Sequence, residues 1–193
     1  DPEEKIDGDE LRHRAEAYPL RSIPDGCLIL TAGVDVQNDR WPVLILGHGR
    51  NDEKWIIDYT EIEGDPTREQ DWQRLEDYLS QPLRNRYGID LRLNLFAIDS
   101  GHLQGDVLQF TRARERKGII AIKGASQRDR PIIGRASLVD INWRGRTIRN
   151  GARQWQIGTD TAKNRLWHIL KQDRETPASS YRMHFSSELD ESF

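Results

Sequence analysis

The feature that most constrains the fold is a change of hydrophobic period near residue 64. Before it, the runs 28–36, 41–47 and 54–62 are rich in β-branched and aromatic residues, the signature of strands. They are joined by Gln37-Asn38-Asp39-Arg40 and Arg50-Asn51-Asp52-Glu53. Such short Asn/Asp turns tolerate left-handed backbone and suit antiparallel hairpins, so a three-stranded meander is expected. After it, Trp72, Leu75, Leu79 and Leu83 recur at helical spacing. Asp65-Pro66-Thr67 is expected to open that helix, with Thr67 as cap and Gln70 reaching back to it, and Pro82 to end it.

An apolar run, 91–98, reads as a central strand that stops at Asp99-Ser100-Gly101. Leu103, Val107 and Phe110 then mark the inward stripe of a second helix closed near Gly118, and 119–122 forms another short strand. A strand, helix, strand unit belongs in a parallel arrangement, which makes the sheet mixed. The polar, basic stretch 123–153 is expected to hold short strands or an extended hairpin around Ile132-Ile133 and 141–143. Beyond it, 155–157 passes into a helix capped at Thr159-Asp160-Thr161, with Ala162, Leu166, Ile169 and Leu170 inward. The fold class is therefore α/β, three antiparallel strands followed by parallel ones, flanked by helices.

Charge narrows the function. Over 193 residues the formal net charge is −3, but residues 112–153 carry twelve Arg and Lys against three acids. Clustered cations of this kind can neutralise phosphates and release counterions; a solvated basic face is the alternative. Residues 1–10 carry six acids against Lys5 and read as a solvated arm. No stretch approaches the roughly 20 apolar residues of a membrane span, and the first residues lack a secretory signal pattern. The first residue is not Met, so the chain reads as a piece of a longer protein. The single cysteine, Cys27, excludes an internal disulfide framework and fits a reducing compartment, with the thiol expected in a buried strand.

Two acids stand out by position. Asp35 interrupts the apolar run Leu28-Ile-Leu-Thr-Ala-Gly-Val-Asp-Val, where an ionised carboxylate is costly unless paired or bound to a metal. Asp99 ends the apolar run Leu95-Phe-Ala-Ile-Asp. If the two strands are neighbours, both carboxylates meet at the carboxyl ends of the sheet, where open α/β sheets place their sites. Oxygen-only ligation there suits Mg²⁺ or Mn²⁺, and two such ions can promote phosphodiester cleavage. Taken singly, an Asp at a strand end is also an ordinary turn former. Asp39 reads as structural or as an orienter of water, Asp160 as a helix-start acid favoured by the dipole, and His102 as either near the site or an ordinary solvated helix-start histidine. Lys123-Gly-Ala-Ser is a weak phosphate-loop candidate. Neither G-x-x-x-x-G-K-[ST] nor G-x-S-x-G occurs.

Several motifs in order, Leu30-Thr-Ala-Gly-Val-Asp35-Val-Gln-Asn-Asp39, Trp55-Ile-Ile-Asp-Tyr, Ala97-Ile-Asp99-Ser-Gly, Ile122-Lys-Gly-Ala-Ser126, Ile157-Gly-Thr-Asp-Thr-Ala-Lys163 and Met183-His-Phe185, resemble the nuclease portion of the lambda-type (GpA family) large terminase subunits of tailed phages. The resemblance covers roughly residues 27–193. It implies an RNase H-like fold and a two-metal endonuclease that cuts concatemeric double-stranded DNA, with Asp35 and Asp99 matching the first two metal-binding acids. It also implies a terminase small subunit and a portal as partners, in the host cytoplasm. By the same likeness, residues 1–24 are a linker from an ATPase domain and 25–193 the nuclease domain. The third acid is expected in an Asn-Glu-Ala-Leu-Asp-like segment of a C-terminal helix, which this chain does not contain.

Two other functions remain to be weighed. A DNA-binding or docking module without cleavage would use the same basic segment. An actin-like or sugar-kinase ATPase would also begin with three antiparallel strands, but it needs glycine and Ser or Thr just after the first-strand acid. The turn Val36-Gln37-Asn38-Asp39 lacks the glycine.

Overall fold

The computed structural model describes residues 8–189. The acidic run at residues 1–7 lies outside the described residues; the rest of it enters a short helix, α1 (Gly8–His13). The meander follows as β1 (Ile29–Val34), β2 (Arg40–His48) and β3 (Lys54–Glu63), antiparallel to one another through the expected turns. Next come α2 (Trp72–Ser80), two short strands β4 (Leu83–Arg84) and β5 (Asp90–Leu91) that pair only with each other, and β6 (Leu93–Asp99). Helix α3 (Gln104–Arg112) leads to β7 (Ile119–Gly124), and a long hairpin, β8 (Ile133–Trp143) with β9 (Arg146–Ile157), leads to α4 (Thr159–Arg174). A two-residue strand, β10 (Met183–His184), closes the order.

Eight strands form one mixed sheet in the order β10-β3-β2-β1-β6-β7-β9-β8. Strands β1, β6, β7 and β9 run parallel, so their carboxyl ends share one edge. The architecture is thus α/β with a mixed central sheet flanked by helices. On one face, Val34 and Ile98 pack with Val107, Leu108 and Phe110 of α3 and with Trp72, Leu75 and Leu79 of α2 in the main core. On the other, Leu44, Leu46 and Ile56 meet Ile169 and Leu170 of α4 together with Met183 and Phe185. Leu166, expected inward, is 44% exposed, because only the second half of α4 reaches this cluster.

Three expectations shift. The helix begins at Trp72 rather than at Thr67, because Asp65 Oδ1 accepts from both the backbone N–H (2.9 Å) and the hydroxyl (2.6 Å) of Thr67 and so forms a local Asx turn. Leu83 is buried but on β4, beyond the helix end at Ser80. The thiol of Cys27 is buried and pushed up by desolvation, yet it sits in the turn before β1. The stretch 133–157 is the extended form of the hairpin, with bulges on β8 between Ile133 and Ala136 and between Val139 and Ile141. These bulges re-aim the ribbon so that it lies across α3. Trp143 Nε1 donates to Asp106 Oδ1 at 2.8 Å, and a Cβ on Gly105 would stand 2.1 Å from Asn142 O.

The segment before β1 lies against the same body. Arg14 meets Asp173 of α4 at 3.1 Å with both side chains nearly closed to solvent, and Asp173 also accepts from the N–H groups of Arg182 and Met183. The Tyr18 hydroxyl donates to Ile56 O. Arg21 Nη1 meets Asp58 at 2.8 Å, and the Tyr78 hydroxyl donates to the same carboxylate oxygen. No helix among the described residues is long and apolar enough to cross a membrane.

Candidate active site

The parallel pairing of β1 with β6 runs Gly33↔Ala97 and Val34↔Ile98, so positions 35 and 99 occupy the next rung. The backbone N–H of Asp35 continues the ladder to Pro42 O at 3.0 Å. Because side chains alternate along a strand, both acids face away from the core that receives Val34 and Ile98. The structure therefore brings together the two acids singled out in the sequence. It corrects one detail: Asp35 is exposed rather than buried, since it alternates with Val34 and Val36 of the main core and shares the open face of β1 with Ile29 and Gly33.

Neither carboxylate has an ion pair among the described residues. Asp35 Oδ2 receives only a long contact, 3.5 Å, from Gln37 Nε2, and Asp99 Oδ1 accepts the N–H of Gly101 at 2.9 Å. The backbone behind Asp99 is fixed: Ser100 is fully buried, its N–H and hydroxyl both donate to Ile122 O, and Gln154 Nε2 donates to its Oγ at 2.8 Å. His102 Nε2 lies 2.9 Å from Asn38 Oδ1, which ties the turn after β1 to the loop after β6. Asp39 Oδ1 lies 3.3 Å from Arg40 Nη1, with its carboxylate largely exposed.

The same edge carries more than the sequence singled out. Lys123-Gly124 ends β7 beside Asp99, and Asp160 begins α4 just after the end of β9. Asp160 Oδ2 accepts the N–H of Asp129 at 2.8 Å, and that bond is the first cause holding its carboxyl below the usual carboxylate range. Asp160 is thus engaged with the loop between β7 and β8, a long-range role that helix-start statistics do not reveal. Among the described residues no group of three or more His, Cys, Asp or Glu gathers in a way that could hold a metal ion. The chemistry available at the edge is that of two oxygen-only acceptors that have no ion pair among the described residues.

The basic segment divides by position. Arg114 and Lys117 share one carboxylate, Glu76, and Arg153 pairs with Glu115. Arg144 and Arg146, at the hairpin tip, are exposed and without an ion pair among the described residues, with Arg144 stacked over Trp143 at 4.4 Å. Since Trp143 is bonded to Asp106, the tip is anchored to the helix that begins five residues after Asp99.

Comparison with known proteins supplies the family. The family model described as "Terminase large subunit gpA, endonuclease domain" matches residues 1–193. The chain is 30% identical over 167 residues to the terminase large subunit of Escherichia phage lambda, covering 86% of this chain and 24% of that protein. It is 26% identical over 187 residues to the terminase large subunit of Enterobacteria phage P21, covering 94% and 27%. The chain thus spans about a quarter of the length of these relatives. No solved structure matches. With the match running over the whole length and through both strand-end acids, the chain belongs to the family of terminase large subunit gpA endonuclease domains.

Proposed function

We propose that this chain is a metal-dependent endonuclease of a phage DNA-packaging terminase, cutting concatemeric double-stranded DNA by two-metal phosphodiester hydrolysis on an RNase H-like scaffold. The observation that carries the reading is the shared rung of Asp35 and Asp99, two carboxylates without cationic partners among the described residues, at the carboxyl edge of a parallel strand pair. Like charges held this close repel, and the set offers acceptors only, which fits a hard divalent cation such as Mg²⁺ or Mn²⁺. When bound, two such ions supply Lewis acidity to the phosphate and lower the pKa of the attacking water.

The chain's own residues do the rest. Asp35 and Asp99 would hold the ions, and the Ser100–Gln154–Ile122 network keeps the Asp99 backbone in place. His102, through Asn38, keeps the turn after β1 and the loop after β6 together. The exposed arginines of the hairpin bind duplex phosphates, giving affinity without base readout. In the whole terminase this activity works with a small subunit and a portal in the host cytoplasm.

The test is supercoiled plasmid incubated with the chain and Mn²⁺, Mg²⁺ or EDTA. The reading expects metal-dependent nicking that Asp35→Asn abolishes while DNA affinity persists. A second reading, a DNA-docking module that does not cut, is favoured by the acidic pair's lack of a third acid among the described residues. Retarded but intact plasmid in every metal would establish it.

A further inference from the structure

The loop 125–132 leaves β7 beside Asp99 and is seated on one place, the junction of β9 and α4. Ala125 N donates to Ile157 O at 2.8 Å and Asp129 N to Asp160 Oδ2 at 2.8 Å. Thr161 Oγ1 donates to Arg130 O at 2.6 Å, and Gly158 N to Pro131 O at 3.1 Å. The seat is close: a Cβ on Gly158 would stand 2.2 Å from Arg130 O. Asp129 adopts φ 57°, a left-handed conformation that a non-glycine residue holds at some cost.

What this anchored loop presents is positive charge. Arg128 and Arg130 are exposed and have no ion pair among the described residues; Arg130 is bonded to Gln127 within the loop, and the charge of Arg128 is felt at Asp160. The loop starts on the strand whose Ile122 pairs with Asp99, three residues past that rung. Guanidinium groups grip phosphate with paired donors, and a loop already held in place loses little entropy on binding.

We propose that this loop grips the scissile strand: Arg128 and Arg130 bind backbone phosphates of duplex DNA next to the Asp35–Asp99 edge, and Asp160 is the positioning residue that sets the loop there. The proposal deepens the nuclease reading and rests on it for the meaning of "scissile". Asp160 acts through the Asp129 N–H, so an uncharged acceptor at the same place suffices.

The experiment compares Arg128→Ala/Arg130→Ala, Asp160→Ala and Asp160→Asn in two assays. These are anisotropy with a fluorescein-labelled duplex across a salt series, and Mn²⁺-dependent nicking resolved into KM and kcat. The arginine variant should raise Kd and KM together, lower the salt slope by about two, and leave kcat within about twofold. Asp160→Ala should follow it, and Asp160→Asn should recover most of the loss. Unchanged Kd and salt slope in the arginine variant would overturn the grip. If Asp160→Asn and Asp160→Ala both lost kcat with Kd unchanged, Asp160 would act at the reacting phosphate or its ions, and the positioning role would fall. A parent chain that binds DNA but never nicks it defeats the nuclease reading, while the anisotropy series still decides whether the loop holds DNA.

Discussion

Gln154 and Ser100, 54 positions apart, share a buried hydrogen bond of 2.8 Å that joins the end of β6 to β9 directly behind Asp99. Breaking one side strands the other's polar group, whereas replacing both by apolar groups can be nearly neutral. Ser100→Ala and Gln154→Leu alone should each lower stability by about 1–3 kcal/mol, and the double variant by less than their sum. Urea denaturation of the four proteins measures the cycle.

Gly105 is where the hairpin presses on α3. Its absent Cβ leaves room for Asn142 O, which would otherwise stand at 2.1 Å. Gly105→Ala must push backbone apart, and overpacking of this kind costs about 1–3 kcal/mol. The hydrogen bond from Trp143 to Asp106 should loosen as the hairpin lifts, read as a red shift in tryptophan emission and faster amide exchange in 140–149.

His48 sets a pH dependence. Its imidazole is half-buried beside Thr31 Oγ1 (2.8 Å), and desolvation, helped by the charge of Lys54, holds it below the ordinary histidine range. The folded state therefore binds the proton less readily than the unfolded chain, so the contribution is present above about pH 6.5 and is lost as pH falls below it. The unfolding midpoint should drop between pH 7 and pH 5, and His48→Gln should flatten that drop. The depressed carboxyls of Asp52 and Glu76, held down by Lys54 and Arg165 and by Arg114 and Lys117 respectively, act in a lower window. A scan kept above pH 5 separates the two.

The hairpin tip predicts a salt effect. Arg144→Glu with Arg146→Glu should weaken duplex binding across all sequences and reduce the slope of log K against log salt by about two, one per lost phosphate contact. Filter binding at several salt concentrations gives the slope; an unchanged value removes both residues from the interface.

What was legible in the sequence was local. Strands β1 to β3 follow from alternation and Asn/Asp turns, and Asp99 was placed by the apolar run ahead of it. Asp35 is expected inside an apolar run, yet it stands exposed because it alternates with Val34 and Val36, which both enter the main core, while its own face of β1 is open at Gly33. The start of α2 was missed because Asp65 satisfies Thr67 locally and Asp71 spends its carboxylate on Asp65 N–H. The anchoring of Arg14 by Asp173 and of Asp129 by Asp160 joins residues 159 and 31 positions apart, and no local pattern carries such partners. The hairpin bulges, which re-aim the ribbon carrying Arg144 and Arg146 across α3, break the strand register without a local signal in the sequence.

The proposed joint hold of Asp35 and Asp99 on a divalent cation is measured by anomalous diffraction from crystals of the chain soaked in Mn²⁺, repeated with Asp99→Asn. A manganese peak between the two carboxylates that disappears in the variant is expected. Manganese bound elsewhere, or carboxylates at positions 35 and 99 that stay bare at saturating metal, would contradict it.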